Sequence, residues 1–364
     1  MIARLGTAAL ALALLAGCAG IPIPPRSVRT EAAARAHAAH VAAIIAAWES
    51  AGGSRVKRPS AGAEQTSVIP ESTVSAAWWG FDASDATSSV QAAIDSGART
   101  IVIPRMSSPW TVSRTVDLRW GGMQILLEPG VVLQAAEGAF RAPDEPLVSC
   151  VGGSDFSLVG YGATLRMRKQ DYERPPYEPA EWRHAISLRA VQHALVAGVS
   201  IDDAGGDGVY VGTAFHEKPC QDLTLRDLDI SNSYRQGITV TSAARLLVDE
   251  CRIRGSRGAL PMAGIDFEPN SRDPGFTDCT VRRCWIESNR GVGILLVLKN
   301  LTAGSAPVSI RVRECTVDNL PIAIWLRGLQ NRVRGMLTID DCSVRGLQLL
   351  RGSSRFSVVS GNHR

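Results

Sequence analysis

From about residue 184 onward a six-residue hydrophobic and polar pattern recurs: an aliphatic residue, two polar ones, Cys or an aliphatic, one polar, then Ile or Val. The copies begin with Val196-Ala197-Gly198-Val199-Ser200-Ile201, Leu225-Arg226-Asp227-Leu228-Asp229-Ile230 and Val248-Asp249-Glu250-Cys251-Arg252-Ile253. They continue as Val281-Arg282-Arg283-Cys284-Trp285-Ile286, Val312-Arg313-Glu314-Cys315-Thr316-Val317 and Ile339-Asp340-Asp341-Cys342-Ser343-Val344. Their starts lie 23 to 33 residues apart, a solenoid period. A second short strand recurs in register, usually just after a Gly: Val209-Tyr210-Val211, Ile238-Thr239-Val240, Ile265-Asp266-Phe267, Ile294-Leu295-Leu296, Ile324-Trp325-Leu326 and Leu347-Gln348-Leu349. Alternation of period two sets the first and third members of each triplet inward and the second outward. Polar turns such as Ser231-Asn232, Ser288-Asn289 and Asp318-Asn319 join the strands; Asn there tolerates a left-handed backbone and can bond to its copy one coil away. Leucine-rich repeats would show a Leu/Asn consensus and propellers a period of about 40 residues. The pattern predicts a coiled parallel sheet.

Cys251, Cys284, Cys315 and Cys342 share one column, continued by Val199 and Leu228. Aliphatic residues alternate with cysteine, so the column reads as interior packing. No paired C-x-x-C clip or matching His accompanies it, so no metal site is predicted. Neighbouring rungs about 4.8 Å apart leave both a disulfide and free stacked thiols open.

Upstream, Asp85 to Ser96 reads as a short amphipathic helix and Thr100-Ile101-Val102-Ile103-Pro104 as a strand. Gly80-Phe81-Asp82, Gln91-Ala92-Ala93-Ile94-Asp95 and that strand resemble the entry of pectate-lyase and polygalacturonase-like proteins. In that superfamily a helix closes the first coil, which would otherwise expose apolar core and unpaired strand edge. The resemblance covers about residues 78 to 360. It implies an all-β fold, a single-stranded right-handed parallel β-helix with an N-terminal capping helix, assigned to residues 73–364.

The first residues read as a targeting segment. Arg4 supplies a positive start, and Ala8 to Leu15 is an apolar stretch too short to span a bilayer. Leu15-Ala16-Gly17-Cys18 is similar to a bacterial lipobox; this implies a signal peptide over 1–17 and lipidation at Cys18, with a plain secretory leader as the alternative. Ala19, where an inner-membrane retention signal would carry Asp, implies an outer-membrane or cell-surface destination. Residues 18–72 form the expected tether: a Pro-rich spacer, an Ala-rich helix over Glu31 to Ser50 ended by Gly52-Gly53, and a polar linker.

Composition alters little. A formal charge of +4 without a dense basic run argues against nucleic acid. Low aromatic content, 5%, with 34 glycines suits many tight turns. The residues leave oligomeric state open.

The candidate chemistry lies on outward positions and on the long turns after the second strands, Gly212 to Cys220, Glu268 to Phe276 and Leu298 to Pro307. In Gly264-Ile265-Asp266-Phe267-Glu268, alternation sets both carboxylates on one exposed face about 6.6 Å apart along the strand. Their column neighbours Thr239, Leu295, Thr241 and Val297 carry no charge to neutralise them. Two adjacent acids in a partly apolar setting separate their pKa values, which suits a general acid beside a base. Asp207 in Gly205-Gly206-Asp207-Gly208 lies two coils upstream, about 10 Å away laterally. Its position resembles the Asp of the polygalacturonase Asn-Thr-Asp-Gly stretch. Tyr234-Arg235-Gln236-Gly237 and Met262-Ala263-Gly264 depart from that family's next motifs, so its mechanism is not carried over. Arg235, between Asp207 and Asp266, is a candidate base or carboxylate partner for elimination from a uronic acid. For binding a sugar, the candidates are Tyr210, His216, Lys218, Asn270, Lys299, Arg327, Tyr177 and Trp182, because aromatic faces beside polar groups receive sugar rings. The expectation is a surface-anchored glycoside hydrolase or polysaccharide lyase. A carbohydrate-binding or envelope-structural protein and a uronate epimerase are the alternatives. Pectate-lyase relatives use Ca2+, and whether this chain needs it stays open.

Overall fold

A computed structural model describes residues 26–53, 73–118, 121–215, 218–273 and 275–361. Cys18 and His216 lie outside the described residues. Each coil lays down up to three short strands in turn, and coil stacks on coil in parallel register, giving three ladders. The first runs from Thr73–Ser75 and Thr100–Ile103 through Cys220–Arg226 and Leu247–Asp249 to Phe356–Ser360. The second includes Ser200–Asp202, Asp229–Ser231, Arg252–Arg254 and Trp285–Glu287. The third includes Val148–Val151, Ile186–Arg189, Val209–Gly212, Ile238–Val240, Ile265–Phe267 and Val292–Val297. Near the C-terminal end the strand Thr316–Arg327 turns the corner without a break and joins the last two ladders into one sheet.

The repeat explains this coil. Val196, Leu225, Val248, Val281, Val312 and Ile339 pair in one register and fill the interior. The chain then bends through one left-handed residue per coil: Gly198, Asp227, Glu250, Arg283, Glu314 and Asp341, with φ between 50° and 77°. The next residue is the buried column expected from the sequence. Its thiols are free, and Cys251, Cys284, Cys315 and Cys342 each place Sγ 3.6 Å from a carbonyl one coil back, at Leu225, Val248, Val281 and Val312. That contact gives the S–H an acceptor, which an aliphatic residue does not need. At the following corner Asn319 Oδ1 accepts from Asn289 N at 2.8 Å, and Asn289 Oδ1 accepts from Ser256 N at 3.0 Å.

The capping helix spans Thr87–Asp95, and its apolar side, Val90, Ala93 and Ile94, closes the first coil. The Ala-rich helix departs from its expected place in a free tether. It spans Arg26–Ser50 and lies across the outside of the first ladder. Val41, Ile45 and Trp48 recur at helical spacing and pack on Val102, Leu126, Val159 and Ala197. These strand residues face outward in successive coils, so the early first ladder is apolar on both faces and must be covered. His37 donates Nε2–H to Leu127 O at 2.7 Å, and Thr30 donates to Asp227 at 2.9 Å. Beyond Ala197 the same outward column turns to Arg226, Asp249, Arg282 and Arg313, and the helix cover ends. Among the described residues no helix is long and apolar enough to cross a membrane.

Candidate functional site

The site grows from the third ladder. Its middle outward positions run Ser187, Tyr210, Thr239, Asp266, Leu295 and Trp325 from coil to coil. Two residues before three of these strands come His184, Asp207 and Gln236, all buried. The glycines between them, Gly208 and Gly237, leave no space for a Cβ: one added at Gly208 would sit 2.4 Å from the Ile230 side chain, and one at Gly237 2.2 Å from Ile253. The backbone therefore turns tightly there.

Outside this ladder lies a cavity of about 370 Å³ bordered by Trp182, Tyr210, His184, Arg189, Arg235 and Glu268. A second depression of about 350 Å³ shares Asp144 and Arg189 with it and continues past Ser149 and Ser187. Together they extend along the coil axis. Arg189 holds Asp144 through both carboxylate oxygens, at 3.1 and 3.2 Å. Tyr210 stacks on His184 with ring centroids 4.8 Å apart, and the Arg189 guanidinium lies 5.5 Å from the same ring. Asn270 reaches the Tyr210 hydroxyl at 3.5 Å.

The two central acids share a face, as alternation requires, but not an exposed ledge. Asp266 is fully buried. On one side its outward neighbour Leu295 belongs to a small external apolar cluster with Ala263, Val292 and Val297. On the other Gln236 donates Nε2–H to its Oδ2 at 3.0 Å, and Oδ1 has no partner. Burial, with the charge of Glu268 added, pushes Asp266 up to about 7 against the weaker opposition of Gln236 and Arg235. Glu268 borders the cavity. Contrary to the sequence expectation it has a cation beside it, Lys299 Nζ at 3.3 Å, contributed by the next long turn rather than by a strand column. The same turn is tied back by Asn300, which donates to Pro269 O at 2.8 Å.

Asp207 is also fully buried. Its Oδ1 accepts from Gln236 N at 3.1 Å, while Oδ2 lies 3.3 Å from His184 Nδ1 and 3.8 Å from Arg235. Burial raises it to about 6, opposed by Arg235, Thr239 and Gln236. Arg235 is clamped between Asp207 and Glu181, 3.1 Å away, and opens onto the cavity.

Not all the expected binding residues gather here. Trp182, 51% exposed, presents a free face at the cavity rim, and Tyr210, Asn270 and Lys299 stand at or next to it. Tyr177 is turned away: it packs edge-on against Tyr172 and beside Arg183, holding the 168–184 excursion on the core. Arg327 lies over Trp325, two coils from Asp266, and Lys218 is exposed on its own turn outside the cavity lining. The sequence reading passed over His184, Arg189 and Gln236. Register would have found two of them, because His184 and Gln236 precede their strands by the same two residues as Asp207. Among the described residues no group of three or more His, Cys, Asp or Glu is placed to hold a metal ion.

Residues 180–343 match the family described as right handed beta helix region, a stretch just under half of the 364-residue chain. No curated protein sequence matches the chain. Among solved structures, the Geobacillus virus E2 protein ORF18 has 13% identity and a TM-score of 0.48 over 81% of this chain and 61% of its own. The Dettilon tailspike protein has 11% identity and a TM-score of 0.49, with 83% of this chain and 71% of its own covered. An alginate lyase from Paenibacillus sp. str. FPU-7 has 14% identity and a TM-score of 0.47, over 76% and 96%. This chain therefore spans less than two thirds of the first of these, and at such identities none of them speaks to its chemistry.

Proposed function

We propose that this right-handed parallel β-helix protein binds a polysaccharide along its third ladder and cleaves it there by acid–base chemistry. The observation that carries the reading is the arrangement of the two acids: Glu268 at the cavity, and Asp266 buried on the same face with its carboxyl pushed up to about 7. Two carboxyls of unequal burial can share a single proton between them, and Glu268 is the member that a sugar can touch. Glu268 is thus the proposed catalytic residue, and Asp266 acts through it. Trp182 and Tyr210 offer ring faces to sugars, while Arg189 and Arg235 suit an acidic sugar better than a neutral one. The arrangement serves hydrolysis or elimination equally.

Release of reducing ends and of unsaturated uronates, measured over a panel of acidic and neutral polysaccharides, tests the proposal. Glu268→Gln is expected to lower kcat by about 10²–10⁴-fold, the usual worth of a positioned proton-transfer group, with KM little changed. A second reading, sugar binding without turnover, is favoured by one observation: Lys299 neutralises Glu268 while Asp266 is closed off. Binding to the panel without products, unaltered in Glu268→Gln, would establish that reading instead. Anchoring through Cys18 belongs to the same proposal and would put the groove at the cell surface. Loss of acyl labelling in Cys18→Ser is its expected signature.

A further inference from the structure

His184 is 1% exposed yet borders the cavity with its ring stacked on Tyr210. Two groups of one residue compete for its Nδ1: the backbone N of Asp207 at 3.1 Å and Oδ2 of the same Asp207 at 3.3 Å. The amide N–H is a permanent donor and needs the Nδ1 lone pair. A carboxyl, by contrast, can carry a proton or not. The permanent partner decides, so the neutral ring carries its hydrogen on Nε2. When protonated, Oδ2 donates toward the same lone pair instead of opposing it. Burial, with Arg189 and Arg235 nearby, also holds the ring well below its ordinary pKa, against a second proton. Nε2 meets no hydrogen-bond partner among the described residues.

Resting on the reading of this groove as a glycan site, we propose that His184 is a fixed neutral hydrogen-bond donor whose Nε2–H receives an acceptor oxygen of the bound sugar, and that Asp207 is the positioning residue that sets its tautomer. A ring already protonated at Nε2 cannot serve there as a base. This removes Asp207 from the reacting acids and gives the groove a donor that adds no charge to the two arginines. The geometry selects an oxygen at one place along the ladder, where a guanidinium would accept several.

Imidazole ¹⁵N–¹H correlation spectra of the full chain at pH 5, where Asp207, raised to about 6, carries its proton, test the tautomer without any substrate. The expected result is a protonated Nε2 and a bare Nδ1 for His184; an Nδ1-protonated ring or an imidazolium overturns the proposal. Trigalacturonate, as a probe, tests the donor by calorimetry. His184→Gln returns an amide donor near the Nε2 position and should bind within about threefold of the wild type. His184→Asn places its amide near Nδ1 and should lose about tenfold, the worth of one hydrogen bond. Equal affinities in the two variants overturn the donor role. If the wild type does not bind the probe, the groove is not a uronate site, and the spectra alone decide the assignment of His184.

Discussion

Asp249 and Asp266 occupy equivalent slots on two different ladders. Each is fully buried at an outward position of its strand, with strands of neighbouring coils on both sides. On the first ladder the neighbours supply cations: Arg226 at 3.3 Å, Arg282 at 2.9 Å and Arg283 at 2.8 Å. Burial alone would raise Asp249, but the hydrogen bonds and charge of Arg282, with Arg283 and Arg226, outweigh it and hold the carboxyl below its usual range. On the third ladder the flanking residues are Thr239 and Leu295, and among the described residues Asp266 receives one hydrogen bond, from the Gln236 amide. The same backbone slot therefore makes a permanent anion in one place and a proton store in the other. A carboxylate surrounded by arginines is a structural joint, whereas one denied them is available for chemistry.

The contrast can be broken most forcefully at Asp249. Asp249→Asn leaves three guanidinium groups crowded on the first ladder without their anion, and should cost about 3–5 kcal/mol of unfolding free energy by urea denaturation. A loss below about 1 kcal/mol would mean that the arginines were already satisfied by water. Next in size is the pH dependence. The folded pKa of Asp266 is raised from 3.8 to about 7, so the folded state holds the proton more tightly than the unfolded chain. Its cost is absent below pH 4, grows between about pH 4 and 7, and is complete above, reaching about 4 kcal/mol. Asp249 slopes the other way: its stabilisation is present above the ordinary carboxylate range and is lost as pH falls below it. Comparing wild type with Asp266→Asn isolates the first slope, since Asn keeps the shape and cannot ionise. The variant should gain on the wild type as pH rises from 4 to 8, and parallel stability curves would show that Asp266 is not the proton store.

Much of this contrast was legible in the sequence, but unevenly. Register was plain because alternating inward residues in each strand and one Cys or aliphatic residue per corner recur from coil to coil; Ile265 and Phe267 inside therefore put Asp266 and Glu268 on the same outer face. What alternation could not supply was a third layer. Outward on a strand means exposed only if nothing lies above, and Asp266 is fully buried beside the outer apolar cluster of Ala263, Val292, Leu295 and Val297. The docked helix is the same lesson. Val102, Leu126, Val159 and Ala197 were apolar at outward positions, and His37, Val41, Ile45 and Trp48 were spaced to meet them, yet the Ala-rich helix reads as part of a tether. The pairing of Lys299 with Glu268 escaped for a different reason: Lys299 sits on a long turn, whose path the strand period does not fix.

That turn also supplies the smallest effect. Lys299 and Glu268 pair at 3.3 Å with side chains 52% and 21% exposed, a setting in which solvent screens the attraction and ordering a long side chain offsets part of it. Lys299→Ala should change unfolding free energy by less than about 1 kcal/mol, and less still at high salt. Its use is diagnostic, because it strips the cation from the proposed catalytic acid at the cavity. If Glu268 handles the proton, the variant keeps the fold while kcat changes, and stability and turnover respond separately. Should stability instead fall by several kcal/mol, Glu268 would be a joint like Asp249, and the third ladder would have lost the feature that sets it apart from the first.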